Sequence, residues 1–200
     1  ANGGTISLTG IATGSTALEA VQATQAVLTS GGGAITLTGT HGSVNRRGVY
    51  LDRTTINSGG GAITLGSTTS NIRIEGSSLV SGSGGVTIDK GGSAQLSAIN
   101  TYTGPTQING VTGDQGILLI SGLGSIAASS YVESNGVFDI SRAWAPVSIT
   151  DLRGTGQVNL GGKNLTITDG KSTFSGNIVD GGEYQVAGGS VTIAGGTQTF

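Results

Sequence analysis

A ten-residue run occurs three times in the first half of the chain. Leu-Thr-Ser-Gly-Gly-Gly-Ala-Ile-Thr-Leu at residues 28–37 returns as Ile-Asn-Ser-Gly-Gly-Gly-Ala-Ile-Thr-Leu at 56–65 and as Leu-Val-Ser-Gly-Ser-Gly-Gly-Val-Thr-Ile at 79–88. The offsets between these copies are 28 and 23 residues. A strand-like triplet precedes each copy by seven residues, at 21–23, 49–51 and 72–74. A period of this length is typical of chains in which each repeat stacks on its neighbours.

Each repeat has the pattern of short strands joined by sharp turns. Apolar residues alternate with Thr, Gln, Tyr or Arg, which is the period of two expected when one strand face is buried. Equivalent strands can therefore stack in parallel, ~4.8 Å apart, with the Gly-Gly-Gly runs at corners that need positive φ. Only residues 17–26 have helix-forming composition, and their alignment with the later triplets favours another β rung. At this period the 200 residues predict an all-β, parallel β-helix of about eight coils.

The composition excludes several other classes of protein. Gly makes up 39 of the 200 residues, and each interior Gly costs a helix about 1 kcal/mol relative to Ala, so a helical bundle is excluded. The chain has no Cys, which excludes disulfide frameworks and Cys-based metal sites. A net charge of -2 without a basic block argues against nucleic acid and anionic lipid as partners.

Beyond residue 95 the period loosens, but strand-like segments separated by Gly-rich corners continue. No break in composition marks a second domain, so we expect a single β-helix segment over residues 1–200. The strand candidates are 106–108, 116–120, 131–132, 136–140, 147–149, 157–160, 165–167, 177–179 and 190–193.

Two parts of the chain resemble known repeat families. Residues 96–110, Leu-Ser-Ala-Ile-Asn-Thr-Tyr-Thr-Gly-Pro-Thr-Gln-Ile-Asn-Gly, resemble the autotransporter-associated β-strand repeat, whose usual run is Leu-Ser-Gly-x-Asn-Thr-Tyr-Thr-Gly-x-Thr-x-Ile-Asn-x-Gly. They depart from it at Ala98, where Gly is usual, and in an insertion at residues 111–115. Residues 1–95 are similar to filamentous-haemagglutinin-type repeats through Ser-Gly-Gly-Gly-x-Ile-Thr-Leu. Stretches at 124–127, 136–141, 154–166, 172–178 and 195–200 are similar to segments that commonly succeed the first repeat in bacterial autotransporter passengers.

The resemblance implies a fold, a location and a role. It implies a right-handed parallel β-helix, with regular haemagglutinin-like coils over 1–95 and the autotransporter-associated repeat region over 96–200. The segment would belong to a longer passenger, secreted and held at the bacterial surface by a C-terminal outer-membrane translocator barrel that these residues do not contain. In that family the repeat is associated with secretion and folding of the passenger instead of chemistry.

Stacking the coils brings charged residues together. The 23-residue offset places Asp52 beside Glu75 at about 5 Å, and Tyr50 beside Arg73, with Arg53 adjacent. Two carboxylates at that separation suit a retaining glycosidase or half of a Ca²⁺ site. Surface charges on such a scaffold are more often simply solvated, and we expect a solvated patch in which Arg53 and Arg73 relieve the like charges.

Two other places are candidates for binding. The longer first coil has about five extra residues, which fall within residues 38–47 and predict a side loop carrying His41, Arg46 and Arg47. A lone His in such a loop is more often a loop residue than a catalytic base. The aromatic residues gather in the second half of the chain and are expected to pack there. Trp144, beside Pro146, has the alternative role of stacking on a sugar or docking a partner.

The sequence offers no catalytic signature. A Gly-x-Ser-x-Gly nucleophile elbow, the Gly-Asp-Ser-Gly protease run, the Gly-Gly-x-Gly-x-Asp Ca²⁺ repeat and phosphate-binding Gly loops are absent, so we expect no cofactor and no metal. The expected function is a non-enzymatic stalk and adhesive surface that binds host cell-surface or extracellular-matrix molecules. Open coil ends also favour end-to-end self-association. A released effector that binds a host receptor and a polysaccharide-cleaving β-helix enzyme remain alternatives.

Overall fold

The computed structural model describes residues 3–13, 19–42, 47–66, 71–75, 78–181 and 187–200. Its strands in the first half are β1 (Ile6–Ala12), β2 (Glu19–Thr24), β3 (Val27–Thr29), β4 (Ile35–His41), β5 (Arg47–Asp52), β6 (Thr55–Asn57), β7 (Ile63–Gly66), β8 (Asn71–Glu75), β9 (Leu79–Ser81), β10 (Val86–Ile88) and β11 (Ser93–Leu96). Those in the second half are β12 (Thr106–Ile108), β13 (Gly110–Val111), β14 (Asp114–Gln115), β15 (Ile117–Gly122), β16 (Val132–Ser134), β17 (Val137–Ala143), β18 (Val147–Ile149), β19 (Leu152–Arg153), β20 (Gln157–Asn159), β21 (Asn164–Ile167), β22 (Asn177–Val179) and β23 (Ser190–Ile193).

The strands form three parallel faces that wind into a right-handed β-helix of about seven turns. Face A has the order β1-β4-β7-β10-β12-β16-β19, and face B has the order β2-β5-β8-β11-β15-β17-β20-β22. Face C consists of two shorter sheets, β3-β6-β9 and β18-β21-β23. The hairpin of β13 and β14 is antiparallel. The described residues include no helix that could cross a membrane.

The register of the coils confirms the repeat found in the sequence. Ile35 pairs with Ile63, 28 residues later, and Ile63 pairs with Val86, 23 residues later. Residues 19–24, within the segment of helix-forming composition, are strand β2 and pair with β5, which confirms a β rung. The strand candidates beyond residue 95 are likewise confirmed. Both long faces continue across residue 95, where the two resemblances meet.

The predicted alignment is wrong by one residue on face C. The 23-residue offset places Leu79 opposite Ile56, but the structure pairs Ile56 with Val80. Val80 is fully buried and Leu79 only half-buried. Because successive side chains of a strand point to opposite sides, a shift of one residue decides which of the two enters the core.

The predicted side loop at residues 38–47 is also wrong for much of its length. Residues 38–41 continue strand β4 and pair with β1 along its whole length. Arg47 begins strand β5, and residues 43–46 lie outside the described residues. The alternation of buried and half-buried positions in β4 continues through Gly39 and His41, and pairing with β1 holds this backbone in the sheet.

The core is a set of columns, each made of equivalent side chains from successive coils. On face A the column contains Ile35, Ile63, Val86 and then Thr106, all fully buried. Face B has a similar column that includes Val49 and Ile72. Stacked aliphatic side chains remove apolar surface from water at about 25 cal/mol per Å², and Thr106 is a polar member of the face A column.

A column of glycines marks the entry to face B in the later coils. Gly116, Gly136, Gly156 and Gly176 recur every 20 residues. A methyl group built on any of the last three would overlap the carbonyl oxygen of the glycine one coil earlier. The residue after each glycine donates its N–H to that same carbonyl, as Gln157 does to Gly136 at 2.8 Å. Glycine therefore allows the backbones to approach closely enough for the coil-to-coil hydrogen bonds to form.

Asn100 provides side-chain hydrogen bonds in a part of face C that has no regular strand to pair with β9. Its side chain is almost fully buried. Its Oδ1 accepts a hydrogen bond from the N–H of Val80 at 3.0 Å, and its Nδ2 donates to the carbonyls of Ala98 at 2.8 Å and Ser125 at 3.1 Å. The side chain thus provides the acceptor for the Val80 N–H in the interior. The two carbonyls, which already accept the backbone N–H groups of Ser125 and Asn100, each receive a second hydrogen bond.

A chain of hydroxyl groups accounts for the buried polar residue in the face A column. The hydroxyl of Ser129 donates to the carbonyls of Gly104 and Tyr131, both at 3.0 Å. Carbonyls only accept, so Thr106 donates to Ser129 at 2.9 Å and Tyr102 donates to Thr106 at 2.6 Å. Burial raises the pKa of Tyr102, and the hydrogen bond to Thr106 opposes this shift only in part.

The glycine column predicts the effect of one added methyl group. Gly156→Ala should lower the free energy of unfolding by about 2 kcal/mol or more, because the methyl group must displace backbone of the preceding coil. Gly4→Ala is the matched control, since a methyl group there meets nothing within 4 Å. Urea unfolding followed by circular dichroism measures both variants, and equal stability of the two would contradict the close approach.

The buried Tyr102 predicts a loss of stability in alkali. Its folded pKa is raised above the unfolded value of about 10, so the folded state holds its proton more tightly. The stabilisation is complete below about pH 10 and is lost as the pH rises, by up to ~1.4 kcal/mol per pH unit. Tyr102→Phe removes this group, and its unfolding free energy should fall less steeply with pH. An unchanged slope in urea titrations above pH 10 would show that Tyr102 is not responsible.

Candidate functional site

Trp144 stands out because it is a large apolar side chain at the surface. It is 79% exposed and lies in the corner of residues 144–146 that joins β17 to β18. All three residues of this corner are exposed. The N–H of Trp144 donates to the carbonyl of Gly122 at 2.8 Å, which fixes the corner to the preceding coil. The indole is therefore presented to solvent from a held backbone.

Two adjoining clefts meet at Trp144. The first, cleft 1, has a volume of about 490 Å³ and the second, cleft 2, about 310 Å³. Cleft 1 is lined by Gln95, Ser97, Ser121, Gly122, Leu123, Arg142 and Trp144. Cleft 2 is lined by Ser141, Arg142, Ala143, Trp144, Gly161, Gly162 and Lys163. The lining comes from four successive coils, so the two clefts follow one another along the axis of the β-helix on the outer side of face B.

A β-bulge in β17 directs Arg142 into these clefts. Leu119 pairs with Asp139, but Ser121 pairs with Arg142, so β17 has one residue more than β15 over this stretch. The Asp139 carboxylate accepts the N–H of Ser141 at 2.8 Å and the Nδ2 of Asn159 at 3.2 Å. These bonds hold the extra residue in place, and the strand then continues to Trp144. Bulges commonly re-aim side chains in this way.

The polar groups in cleft 1 are preordered. Gln95 lies in β11 and donates from its Nε2 to the Ser121 hydroxyl at 2.9 Å. Ser121 is paired in register with Arg142 across the sheet. Leu123, which is largely exposed, adds an apolar wall beside the indole. The cleft thus combines an aromatic face, hydroxyl groups, an amide and a guanidinium.

The charge of the clefts is positive. Arg142 lines both clefts and Lys163 lines cleft 2, while the described residues that line them include no Asp or Glu. Arg142 also acts on the neighbouring part of face B. Burial lowers the pKa of Arg73, and the positive charges of Arg47 and Arg142 lower it further, against an opposing effect of Tyr50. Arg73 is therefore within electrostatic reach of both Arg47 and Arg142.

The structure confirms the stacked register of the charged patch predicted from the sequence. Asp52 is paired with Glu75, and Tyr50 with Arg73, in adjacent strands. The Asp52 carboxylate binds Arg53, with Nη2 at 2.9 Å and Nε at 3.0 Å from the same oxygen. The side chain of Glu75 lies outside what the structure describes, so the separation of the two carboxyl groups stays a prediction.

The three residues expected in the side loop have different environments. His41 is 1% exposed at the end of β4 opposite Ala12, so its assignment to an exposed loop is wrong. Arg46 falls outside the described residues. Arg47 forms an ion pair with Glu19 at 2.9 Å and lies 4.4 Å from the centroid of the Tyr50 ring. His41 and Trp144 are four coils apart and do not form one site.

Sequence reasoning singled out Trp144 but missed the residues around it. Gln95, Ser121, Arg142 and Lys163 come from different coils, and the bulge shifts Arg142 out of the 20-residue register. The alternation in β17 breaks at residues 138–141, which are all buried. In the sequence, the run Phe-Asp-Ile-Ser at residues 138–141 ends in a polar residue and is followed directly by Arg142. These two adjacent polar residues are the sequence signal that could have indicated the bulge. Among the described residues, no group of three or more His, Cys, Asp or Glu could hold a metal ion.

Comparison of the chain with protein-family models, with curated proteins and with solved structures finds no match. The resemblance of residues 96–110 to an autotransporter repeat therefore depends on those residues alone.

The exposure of Trp144 predicts a simple spectroscopic result. Trp144 is the single tryptophan of the chain, so tryptophan fluorescence reports on this corner alone. We expect acrylamide to quench it about as strongly in the folded protein as in urea. Trp144→Ala should change the free energy of unfolding by less than about 0.5 kcal/mol, as for other exposed positions. An indole shielded from acrylamide in the folded state would contradict the geometry.

Proposed function

We propose that this chain is a non-enzymatic segment of a secreted bacterial surface protein, serving both as stalk and as adhesive surface. The observation that carries the proposal is the exposed, backbone-held Trp144 at the meeting point of two clefts on a continuous parallel stack. The stack gives length and rigidity, and the clefts give a place to bind.

The stalk role is supported by how the coils are joined. Each strand of faces A and B, apart from the first and last of each face, bonds to the strand before and after it. The columns of buried side chains run along the same direction. The stability of such a solenoid is close to a sum of coil terms and nearest-neighbour terms. Seven coils at ~4.8 Å form a rod of about 30 Å. A longer protein of the same kind would extend in proportion.

The adhesive role is supported by the composition of the clefts. An aromatic side chain in a corner offers contact area and an N–H donor with few rotatable bonds. Hydroxyl, amide and cationic groups lie around it. Glycoside hydrolysis in most families requires a pair of carboxylates flanking the bond, and the described residues lining these clefts supply none. The arrangement favours binding over cleavage.

The location and partners of the protein come from the resemblance, and they are part of the proposal. A passenger with this repeat would be presented at the bacterial surface by a C-terminal outer-membrane barrel and would meet host cell-surface or extracellular-matrix molecules. The weight of this inference rests on residues 96–110, which match the repeat at nearly every fixed position.

The proposal predicts that the purified chain adheres to host cells or matrix-coated surfaces. Trp144→Ala should reduce the bound fraction several-fold, since loss of a central aromatic contact costs more than about 1 kcal/mol. An Arg46→Ala, Arg47→Ala double variant tests the other predicted surface. Lys171→Gln is the control, because Lys171 is exposed and pairs locally with Asp169.

The outcomes separate the candidate surfaces. Loss of adhesion in Trp144→Ala alone supports the clefts, whereas loss in the double variant alone places adhesion on the second coil. Absence of adhesion by the unmodified chain to every surface would overturn the proposed function.

A further inference from the structure

We propose that clefts 1 and 2 form one continuous site for an anionic polysaccharide, in which a sugar ring stacks on Trp144 and acidic groups bind Arg142 and Lys163. This inference rests on the proposed adhesive function and names the class of ligand. Its support is the order of the groups along the axis, the charge of the lining and the size of the exposed apolar surface.

The order of the groups matches an extended chain ligand. Cleft 1 draws on the coils of β11, β15 and β17, and cleft 2 on the coils of β17 and β20. Four successive coils span about 14 Å at ~4.8 Å per step. Trp144 and Arg142 line both clefts and so lie at the junction. A short oligosaccharide lying along the axis would contact all of these groups in sequence.

The polar groups suit the substituents of a sugar. Gln95 and Ser121 are already hydrogen-bonded to each other at 2.9 Å, and each keeps further donor or acceptor capacity for ring hydroxyls. The indole of Trp144 supplies a flat apolar face and an N–H donor. Orienting polar groups around an apolar surface is the usual composition of a small-ligand site.

The positive lining selects an acidic ligand. Arg142 and Lys163 lie on the wall, and no carboxylate lines the two clefts within the described ranges. A guanidinium binds carboxylate or sulfate oxygens through paired N–H groups. The net charge of the chain, -2, means that this attraction is local to the clefts. It would therefore not make the whole molecule a general polyanion binder.

A protein partner fits the site less well than a polysaccharide. A stable protein interface buries about 800 Å² on each side around an apolar core. Around the clefts, the exposed large apolar side chains are Trp144 and Leu123, and the remaining lining is small or polar. One aromatic ring among hydroxyls and cations is a better match for a hydrated, ring-shaped ligand than for an apolar protein core.

Titration of the intact chain with defined oligosaccharides tests the proposal, because the single tryptophan is itself the probe. The ligands are a heparin hexasaccharide, which carries sulfates and carboxylates, and a hexagalacturonate, which carries carboxylates alone. Neutral maltohexaose and an oligothymidylate of matched charge serve as controls. We expect a saturable change in Trp144 fluorescence with one or both acidic saccharides, and affinity at least about tenfold weaker for the two controls.

Variants assign the contacts, with affinity measured by calorimetry. Trp144→Ala should weaken binding about tenfold and Trp144→Phe less, since a smaller aromatic face remains. Arg142→Gln and Lys163→Gln should each weaken it about fivefold, with a reduced dependence on salt. Lys171→Gln, matched to Lys163→Gln in charge change, should bind as the unmodified chain does. Unchanged thermal unfolding confirms that each variant is folded.

Several results would overturn the proposal. These are no response to either acidic saccharide, equal affinity for maltohexaose or the oligothymidylate, or an equal loss of affinity in Lys171→Gln. Cell adhesion that survives enzymatic removal of acidic polysaccharides, in a chain that binds neither saccharide, would identify a protein partner and retain the adhesive function. Saccharide binding without adhesion to any surface would support the polysaccharide site at clefts 1 and 2 and would contradict the proposed adhesive function.

Discussion

Hydrogen bonding between the backbones of successive coils is the constraint on which the whole structure depends. In a parallel stack every strand must meet the strands before and after it at ~4.8 Å, along its full length. The glycine column at Gly116, Gly136, Gly156 and Gly176 shows how strict this is, because no Cβ fits where these backbones pass. The pairing of each strand with the strand of the preceding coil then sets the position of its outward side chains. The residues that line the clefts at Trp144 are held in place by this pairing.

The interior is not uniformly apolar, and its polar residues serve the same constraint. Face C has no regular strand between β9 and β18, and Asn100 supplies side-chain hydrogen bonds there. Tyr102, Thr106 and Ser129 continue this arrangement with a chain of hydroxyls that ends on carbonyls. Asn100, Tyr102 and Thr106 occupy fixed positions of the repeat that residues 96–110 resemble. Their structural role here is to keep the stack continuous across an irregular stretch.

The sequence predicted the strands and the parallel stacking because both depend on local alternation and on the repeat distance. It did not predict the one-residue shift that buries Val80 instead of Leu79, since a single extra residue in a Gly-Ser corner leaves no pattern of its own. His41 was misplaced because its partner, strand β1, lies ahead of the first copy of the ten-residue run and was not predicted, although Gly3-Gly4 precedes β1 as Gly32-Gly33 precedes β4.

The candidate site was predicted less completely than the fold. Trp144 was recognisable as an aromatic residue beside a proline, but Gln95, Ser121, Arg142 and Lys163 converge only after folding. Their spacing along the chain is irregular because the bulge adds one residue to β17. A regular repeat can be predicted from the spacing of residues in the sequence. A β-bulge cannot, because it depends on side-chain contacts such as those of Asp139, which form only in the folded protein.

The bulge in β17 also suggests how a molecule of this design can diversify. Regular pairing with the next coil is present on both sides of the extra residue, since β17 pairs in register with β20 at residues 137–139, before the bulge, and β18 pairs in register with β21 after it. An insertion of one codon can therefore replace the outward residue at a given height of the rod while the scaffold above and below stays as it was. The outward residues of one coil can therefore change while the pairing of the other coils is kept. Different coils of the same β-helix can acquire different surface residues independently.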